Sequence, residues 1–485
     1  MRQAYRIIPI YTADVSGVCS ALYELGGMTV MHDPSGCNST YNTHDEIRWY
    51  DQDSLIFISG LTEIDAIMGN DEKFIADIVH AANDLKPKFI ALASSPIPFM
   101  NGTDFPAIAK VIEAETGLPT FFVPTNGMHD YVYGAGIALE EIAKRFTGNG
   151  TGRTGIHYTA CERSSGAEKT GKTVDKEPVI SEENTSVSGQ GVEQESVEQK
   201  VTKLNLIDNH AENGRRVNLL GVTPLDFGPQ PCVDALKENL EQYGWEVLSS
   251  WAMGDTLETL ARAGEAAVNL VVSSVGLRAA QVLQKKFGTP YVVGAPVAGY
   301  ANVISKVLEH TLEIGRRDEL PTTENASQDL RGKCCESVDM SKHFRDETII
   351  DVERKELNAS RISAKIPYLH HRLTSKPEIT LIGEPVLMGS LAAAIEASYG
   401  RSVQVLCPIK ESEGLLSGKD QFIQGEEAME EALKDAKIIV ADPLYKPICP
   451  PESEFHALPH IAFSGRIYVK DCWDFRELKN SVNIL

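Results

Sequence analysis

The sequence lacks the cysteine patterns that are typical of a disulfide framework or a zinc site. Its nine cysteines are scattered over 485 residues, and no two have the Cys-x-x-Cys spacing. In a long chain without a recognisable signal peptide, such scattered cysteines argue against disulfides. We expect most of these thiols to be buried apolar side chains or surface residues.

Long apolar runs are also missing. No run reaches the roughly 20 residues that a membrane-spanning helix needs. The amino-terminal residues MRQAYRIIPIYTADVSG contain neither the apolar core nor the small-residue cleavage site of a signal peptide. These absences predict a cytoplasmic protein that has no membrane association.

Glycine-rich phosphate-binding motifs are absent as well. The sequence has neither a P-loop nor a dinucleotide-binding fingerprint. The Thr-Asn-Gly step at 125–127 and the Asp-Phe-Gly step at 226–228 each follow a predicted strand, and both are interpreted as turns. We therefore expect no ATP site on this chain.

Positive charge is scarce. The chain has 46 Lys and Arg residues against 68 Asp and Glu residues, which gives a formal net charge of −22. Such an acidic balance argues against binding to nucleic acid or to an anionic membrane. It remains compatible with a basic protein partner.

What the sequence does contain is an alternation of strand-like apolar runs and amphipathic, helix-like runs. This alternation predicts parallel sheets built from βαβ units. It occurs in three stretches, which predict an α/β protein of three Rossmann-like domains over residues 1–147, 214–315 and 347–485. The length agrees, because 485 residues exceed what one hydrophobic core usually holds.

Two polar stretches interrupt this pattern. Residues 148–213 are rich in Gly, Ser, Thr, Glu and Lys, and they are interpreted as a flexible, low-complexity insertion. Residues 316–346 have a similar composition and are interpreted as a polar linker. Within the second domain, Gly244 and Gly288 stand where a helix must end before the next strand.

Several segments, in order, resemble the nitrogenase component 1 family. They are MHDPSGCNSTY (31–41), SGLTEIDAIMGNDEKFIADI (59–78), SSPIPFMNGTDFPAI (94–108), VPTNGMHDYVYGAGIAL (123–139), a long match within 254–299, and TLIGEP (380–385). The family includes the nitrogenase molybdenum–iron protein subunits, cofactor-assembly scaffolds and the catalytic subunits of protochlorophyllide reductase. The resemblance implies the three-domain fold, an oxidoreductase and a dimer.

The same resemblance indicates where metal ligands would lie. The family binds an iron–sulfur cluster, expected to be [4Fe-4S], with three first-domain cysteines at a subunit interface. Cys37 matches the second of these, Ser95 stands at the third, and the first falls near Thr12 or Ala13, where there is no cysteine. Cys19 is displaced from that position. In nitrogenase, a second-domain cysteine holds the catalytic cofactor, and Ser273 stands at the matching position, so dinitrogen reduction is not expected.

These residues leave two interpretations of the cysteines open. Iron–sulfur clusters need soft thiolate ligands, commonly four, and a two-fold dimer would offer Cys37 and Cys19 twice. Oxygen ligands from Ser95 or Asp33 would suit such iron less well. Alternatively, Cys37 is a small buried residue of a tight turn and Cys19 lies on a helix face.

Other polar residues have structural interpretations beside functional ones. His32 could donate to a cluster or to a carbonyl group, and Glu63 and Asp65 could contact a substrate or cap a helix. The adjacent pairs His370–His371 and Cys334–Cys335 are assigned to the surface or to structure, since neighbours in sequence rarely reach one metal ion.

The leading functional hypothesis is therefore an oxidoreductase component. It would accept electrons from an ATP-dependent, iron-protein-like reductase and reduce a small molecule or a tetrapyrrole. It would form a homodimer or pair with a component 1 paralogue. The alternatives are a scaffold for metallocofactor assembly and a ligand-binding relative without redox chemistry.

Overall fold

A computed structural model describes residues 6–34, 41, 46–148, 214–318 and 372–476, apart from residues 8, 298, 413 and 474. The described residues form three β-sheets, in which every neighbouring pair of strands is parallel. Parallel strands need crossover helices on the faces of the sheet. The predicted α/β class with three Rossmann-like units is confirmed.

The first unit has a sheet of strand order β2-β1-β3-β4. Its strands are β1 (Met28–His32), β2 (Leu55–Ile58), β3 (Ile90–Ser94) and β4 (Thr120–Val123). Its helices are α1 (Asp14–Leu22), α2 (Glu63–Met68), α3 (Asp71–Leu85), α4 (Pro96–Asn101), α5 (Phe105–Thr116) and α6 (Tyr131–Phe146). β1 and β3 are buried at every position, as their continuous apolar sequences predict.

The second unit has the strand order β6-β5-β7-β8. Its strands are β5 (Arg216–Leu220), β6 (Glu246–Ser250), β7 (Val268–Val271) and β8 (Tyr291–Val293). Its helices are α7 (Pro224–Phe227), α8 (Gln230–Glu241), α9 (Leu257–Ala261), α10 (Leu277–Phe287) and α11 (Ala301–Asp318). Gly288 ends α10 in the left-handed conformation, as predicted, whereas Gly244 lies beyond the end of α8 in the turn before β6.

The third unit has five strands in the order β11-β10-β9-β12-β13. They are β9 (Ile379–Ile382), β10 (Val403–Cys407), β11 (Gln421–Phe422), β12 (Ile438–Ala441) and β13 (Glu454–Ala457). The helices are α12 (Pro385–Tyr399), α13 (Glu426–Leu433) and α14 (Ile461–Ser464), and a 3-10 helix, Gly465–Asp471, follows. The carboxyl edge of this sheet faces the second unit.

An amino-terminal segment, residues 6–13, connects the first unit to the third. Arg6 pairs with Glu426 at 3.2 Å. The Tyr445 hydroxyl donates to the carbonyl oxygen of Pro9 at 2.7 Å, and the Thr12 N–H donates to that of Ala462 at 3.0 Å. One apolar core cluster also contains residues of all three units, so the units are packed together rather than strung along the chain.

The domain boundaries proposed from sequence stay predictions. α6 ends at Phe146, before the predicted insertion at 148–213, and α11 runs into the predicted linker at 316–346. Residues 149–213 and 319–371 lie outside the described residues, and with them Cys334, Cys335, His370 and His371. Within the described ranges, no helix combines the length and the apolar character that crossing a membrane requires.

Candidate functional site

The ends of the central strands place several polar groups between the second and third units. In open parallel sheets, ligands bind beyond the carboxyl ends of the strands, where the strand order reverses. That position lies between β5 and β7 in the second sheet and between β9 and β12 in the third. Asp226 follows β5, Ser273 follows β7, and Glu384 follows β9. All three side chains are buried.

Asp226 is the centre of this group. Its carboxylate accepts hydrogen bonds from the Ser273 hydroxyl at 2.7 Å and from the Thr223 hydroxyl at 3.0 Å. The same carboxylate accepts a short hydrogen bond from the hydroxyl of Tyr131, the first residue of α6. The first unit therefore contributes a side chain to a site between the other two.

Glu384 is the second buried carboxylate. One of its oxygens accepts the backbone N–H of Leu387 at 2.7 Å, which caps α12. The other oxygen accepts the backbone N–H of Ser274, in the second unit, at 2.8 Å. Burial, together with the nearby charge of Asp226, raises the pKa of Glu384 from its usual 4.5 to about 7. A carboxyl that titrates near neutral pH can act as an acid or a base.

His460 completes the group from the third unit. Its backbone N–H donates to Asp442 at 2.8 Å, and Asp442 also accepts from the Ser464 hydroxyl at 2.7 Å, which fixes this loop. The His460 ring is buried, and its Nε2 lies 3.4 Å from Asp226 Oδ1. Neither ring nitrogen has a hydrogen-bond partner within the described ranges. Because Nε2 faces Asp226, the buried Nδ1 is the ring nitrogen that can bind a ligand or a water molecule.

We call Tyr131, Asp226, Ser273, Glu384 and His460 the junction site. A cavity of about 20 Å³ adjoins Asp226 and His460, which is room for about one water molecule. Its other walls are mostly apolar and include Phe227, Met388, Trp473 and Phe475. In this closed arrangement the site can hold and move a proton, but a larger ligand requires it to open.

The residues predicted to bind an iron–sulfur cluster lie at the carboxyl edge of the first sheet. Cys37 is outside the described residues. Ser95 directly follows β3, whose Ser94 pairs in register with His32 at the end of β1. The hydroxyl groups of Ser95 and Thr12 are buried and have no hydrogen-bond partner in the part of the chain that is described. Thr12 and Ser95 are two positions that the family resemblance assigns to cluster ligands.

Cys19 has a different environment. It is fully buried in α1, within the apolar core. A cluster at the dimer axis would lie at the surface of each subunit, whereas Cys19 lies inside the core. Cys19 could bind such a cluster only if the cluster entered the core beside α1, so its role as a ligand stays a prediction. No group of three potential metal-binding side chains occurs among the described residues. The described donors by themselves do not fit an iron–sulfur cluster, because hydroxyl oxygens are poor ligands for soft iron.

The remaining polar residues singled out by sequence have structural roles. His32 Nδ1 lies 2.8 Å from the Ser59 hydroxyl, its ring packs 4.0 Å from that of Phe74, and burial lowers its pKa to about 4. Asp65 forms a capping box with Thr62 at the start of α2 and pairs with Lys73 at 2.8 Å. Glu63 lies in the first turn of the same helix and is exposed.

An apolar surface lies at the same edge of the first sheet. α2 buries none of its residues, and Asn101 of α4 donates to the carbonyl oxygen of Ala66 at 3.2 Å, which joins the two helices. The exposed large apolar side chains of α2, α4 and the loop between β4 and α6, which we call the first-sheet patch, are Ile64, Ile67, Met68, Ile97, Phe99, Met100 and Met128. Met100 and Ile67 are 81% and 82% exposed. Contiguous exposed apolar surface of this kind marks an interaction site.

Comparison with known proteins decides the family. The model of the nitrogenase component 1 type oxidoreductases matches residues 17–310. The chain belongs to this family. As a nitrogenase component 1 type oxidoreductase, it has the three-unit α/β architecture and the parallel sheets described above.

Individual relatives are more distant. One subunit of the light-independent protochlorophyllide reductase of Zygnema circumcarinatum is 34% identical over 97 residues. That match spans about a fifth of each protein, 19% of this chain and 19% of the relative. Two structures of nitrogenase Cp1, at pH 6.5 and at pH 5, superpose with TM-scores of 0.53 and 0.52 at 15% and 14% identity. Each covers 99% of this chain and 90% of the other, and at such low identity the likeness shows the fold alone.

Sequence analysis of this component 1 type oxidoreductase missed most of the junction site. It noted the turn at 226–228 and the position of Ser273, but it assigned no role to Tyr131, Glu384 or His460. The available signal was a polar residue directly after a buried strand, as with Asp226 after β5 and Glu384 after β9. That signal indicates a sheet edge and does not indicate which two edges meet.

Proposed function

We propose that this chain is the substrate-reducing component of a nitrogenase-like system and that its substrate is reduced at the junction site. The observation that carries the proposal is the meeting of Asp226, Glu384 and His460, from two sheets, in one buried place. Tyr131 of the first unit completes it. The family supports an oxidoreductase, and the geometry supports this location.

The chemistry of the site suits a reduction. Adding two electrons to a double bond also consumes two protons, which must come from groups positioned at the substrate. Because Glu384 titrates near neutral pH, it can release a proton and take up another one under the same conditions. Asp226 holds the hydroxyl groups of Tyr131 and Ser273 in place. His460 places its Nε2 3.4 Å from Asp226 and offers a ring Nδ1 that has no hydrogen-bond partner in the described structure.

Ser273 bears on the substrate class. Ser273 replaces the cysteine that holds the nitrogenase cofactor, and its hydroxyl is already engaged with Asp226. A hard hydroxyl with that partner does not fit a metal–sulfur cofactor. We therefore propose a small unsaturated molecule or a tetrapyrrole as the substrate, and not dinitrogen.

The partners belong to the same proposal. Electrons would come from a separate, ATP-dependent iron–sulfur reductase, since the sequence contains no phosphate-binding motif. A second component 1 chain, either a copy or a paralogue, would cover the first-sheet patch. A [4Fe-4S] cluster at this interface, with Cys37 as a ligand and Cys19 or Ser95 as further candidates, stays a prediction.

Anaerobic purification followed by iron and sulfide assays tests the cluster, and Cys37→Ala is expected to remove most of the bound iron.

Turnover with a reductase and ATP then tests the enzyme. We expect Asp226→Asn to lower kcat by about 100-fold or more, the usual size of a general acid–base effect. Asp255→Asn, at a carboxylate outside the junction site, should leave kcat nearly unchanged. Equal activity of the two variants would contradict the location.

The first-sheet patch gives a separate prediction. Ile67→Lys combined with Met100→Lys should convert a dimer into a monomer, because two desolvated charges would face the partner. Both side chains are more than four-fifths exposed, so the free energy of unfolding should change by less than about 0.5 kcal/mol. Sedimentation velocity is the measurement, and Ile467→Lys, on another exposed surface, is the control. A wild-type protein that sediments as a monomer would exclude the homodimer and leave the paralogue.

Two other functions were considered from sequence. An assembly scaffold needs soft metal donors, and the described residues present no group of three potential ligands. A ligand-binding relative without redox chemistry needs no such donors. The iron assay separates the two proposals, because the ligand-binding relative requires neither iron nor a reductase.

A further inference from the structure

The carboxyl-terminal part of the described chain covers the junction cavity. After the 3-10 helix Gly465–Asp471, the chain crosses from the third unit to the second. Cys472, Trp473, Phe475 and Arg476, which we call the C-terminal cover, follow this helix. The first three line the cavity beside Asp226 and His460. The cover therefore occupies the side from which a ligand would approach these groups.

Two aromatic rings of the cover take up the space next to the site. The rings of Trp473 and Phe475 lie 4.5 Å apart, and Phe475 packs edge-on against Phe227 at 5.8 Å. Trp473 and Phe475 are only 6% and 2% exposed. The space that they fill is apolar and is large enough for a fused pair of rings.

The packing of the cover is incomplete in one respect. The indole N–H of Trp473 is buried and has no hydrogen-bond partner in the described structure. His460, on the wall of the same cavity, has its Nε2 3.4 Å from Asp226, whereas its Nδ1 is buried without a hydrogen-bond partner in the described structure. A native structure pairs nearly all of its buried polar groups. The unpaired indole N–H of Trp473 therefore indicates a missing acceptor that a ligand can supply.

An ion pair and a hydrogen bond attach the cover to α8. Arg476 makes a bidentate ion pair with Glu238 of α8, at 2.8 and 3.1 Å, on the surface. Asn239 of the same helix donates to the carbonyl oxygen of Phe475 at 3.1 Å. Exposed ion pairs contribute little to stability, so the main cost of moving the cover is the exposure of Trp473 and Phe475, which belong to an apolar core cluster.

We propose that the C-terminal cover is a removable occupant of the substrate site and that the ligand replacing it is a planar, uncharged, unsaturated molecule with a hydrogen-bond acceptor. The rings define the shape, and the unpaired indole N–H of Trp473 defines the acceptor. The carboxylates of Asp226 and Glu384 disfavour an anion. This inference rests on the proposed function, because it takes the junction site as the place where substrate binds.

The test uses the full-length protein and prodan, a neutral naphthalene ketone whose fluorescence increases in apolar surroundings. Arg476→Ala and Glu238→Ala each break the same tie, so each should lower the apparent Kd for prodan by about two- to fivefold. The double variant should lower it no further, because both changes remove one interaction. Arg401→Ala, which removes an ion pair with Glu378 elsewhere in the third unit, should have no effect. An unchanged Kd in the cover variants, or an equal effect of Arg401→Ala, overturns the proposal.

Two further measurements locate and identify the ligand. Hydrogen exchange of the peptide containing residues 472–476 should become faster when prodan binds; protection of α2 and α4 instead would mean that prodan binds at the first-sheet patch, and the proposal would fail. Competition with 2-naphthoate tests the charge, since this anion should bind at least about tenfold more weakly than prodan. Equal binding of the two would refute an uncharged ligand.

The prodan experiments require neither an iron–sulfur cluster nor a reductase. If the protein binds prodan as expected but reduces no substrate, the proposal for the C-terminal cover stands and the proposed function is wrong. If the protein turns over with a reductase but the Kd for prodan is unchanged in the Arg476 and Glu238 variants, the proposed function stands and the proposal for the cover is wrong. The two failures are therefore distinct.

Discussion

Ser95 and Ser273 are two buried serines with opposite hydrogen bonding. Each stands where the family resemblance places a metal-binding cysteine. The Ser273 hydroxyl donates to the carboxylate of Asp226 at 2.7 Å, whereas the Ser95 hydroxyl has no partner in the described part of the molecule. The hydroxyl of Ser273 therefore belongs to a polar network at the junction site, whereas that of Ser95 is unsatisfied at the edge of the first sheet.

This difference predicts unequal effects of the same substitution. Ser273→Ala should lower the free energy of unfolding by about 1.5–3 kcal/mol, the range for a hydrogen bond to a charged group. Ser95→Ala should change it by less than about 0.5 kcal/mol, because no hydrogen bond is lost. Urea unfolding of the two variants, measured without bound metal, makes the comparison. A loss at Ser95 as large as that at Ser273 would show that Ser95 has a partner.

The titration of Glu384 makes the stability of the folded protein depend on pH. Its pKa is raised from 4.5 to about 7 in the folded protein, by burial and by the charge of Asp226. Between these two values the folded chain binds more protons than the unfolded chain. The stabilisation from this group is therefore fully present below about pH 4.5 and is lost as the pH rises toward 7.

Glu384→Gln removes that titration. The variant loses a cap of α12 at every pH, but its free energy of unfolding should not show the decrease that Glu384 causes in the wild type. We expect the wild-type advantage over the variant to shrink by on the order of 1–3 kcal/mol between about pH 5 and pH 7.5. Burial and the nearby Glu411 also raise the pKa of Asp130 to about 7. Asp130 is present in both proteins, so its contribution to the pH dependence cancels in the difference. A constant difference across this range would contradict the raised pKa of Glu384.

At the scale of elements, the crossing of α1 and α6 determines where Tyr131 lies. The helices approach so closely that a Cβ atom at Gly134 would be 1.9 Å from the carbonyl oxygen of Asp14. A Cβ atom at Gly17 would be 2.2 Å from that of Tyr131. These distances leave no room for a side chain, so the two glycines permit the contact that brings the Tyr131 hydroxyl to Asp226.

Two glycines of α6 give a matched prediction. Gly134→Ala should destabilise the protein by more than about 3 kcal/mol, because backbone atoms would have to move apart. Gly136→Ala should be neutral or stabilising by up to about 1 kcal/mol, since its nearest neighbour would be a side-chain atom at 3.4 Å and alanine favours a helix. Thermal unfolding distinguishes the two. Similar melting temperatures for both variants would disprove the close crossing.

For the whole molecule, a buried ion network connects the first and second units. The Arg48 guanidinium pairs with Glu46 and Glu24, both at 2.7 Å, and donates to the carbonyl oxygen of Ala252 at 3.1 Å. Glu24 in turn accepts the N–H of Gly254 at 2.7 Å. Ala252 has a φ of 93°, a conformation that is strained for a residue with a side chain. The contacts from the first unit hold this turn in place.

Arg48→Leu should therefore weaken the association of the units. It leaves Glu46 buried without its cation, and a loss of about 3–5 kcal/mol is expected. Arg145→Leu, which removes an exposed pair with Glu141, is the control and should cost at most about 1 kcal/mol. Urea unfolding with limited proteolysis measures both effects. Equal losses in the two variants would mean that the buried network does not contribute.

Much of the fold could be predicted from sequence, because strands and helices follow from short-range patterns. The apolar runs at 88–95 and 268–274 predict strands and contain β3 and β7, and the amphipathic run at 72–85 predicts a helix, which is α3 with one more residue. Of α1, only the place of Cys19 on a helix face was considered, and α11 was not predicted. α1 is buried along its whole length, so it shows no polar face that would reveal a helix. The capping interpretation of Asp65 could be made in advance, since a capping box is local.

The sequence by itself determined the α/β class, the three units, the acidic charge and, through six segments, the family. These properties depend on composition and on periods of two to four residues, or on resemblance. Only the tertiary structure decided that Tyr131, Asp226, Glu384 and His460 meet. They are far apart in the chain, and a sequence pattern places each of them at a strand end or helix end without showing which ends face one another. Packing of the three units around one core makes that choice, and it also places Trp473 and Phe475 over the site.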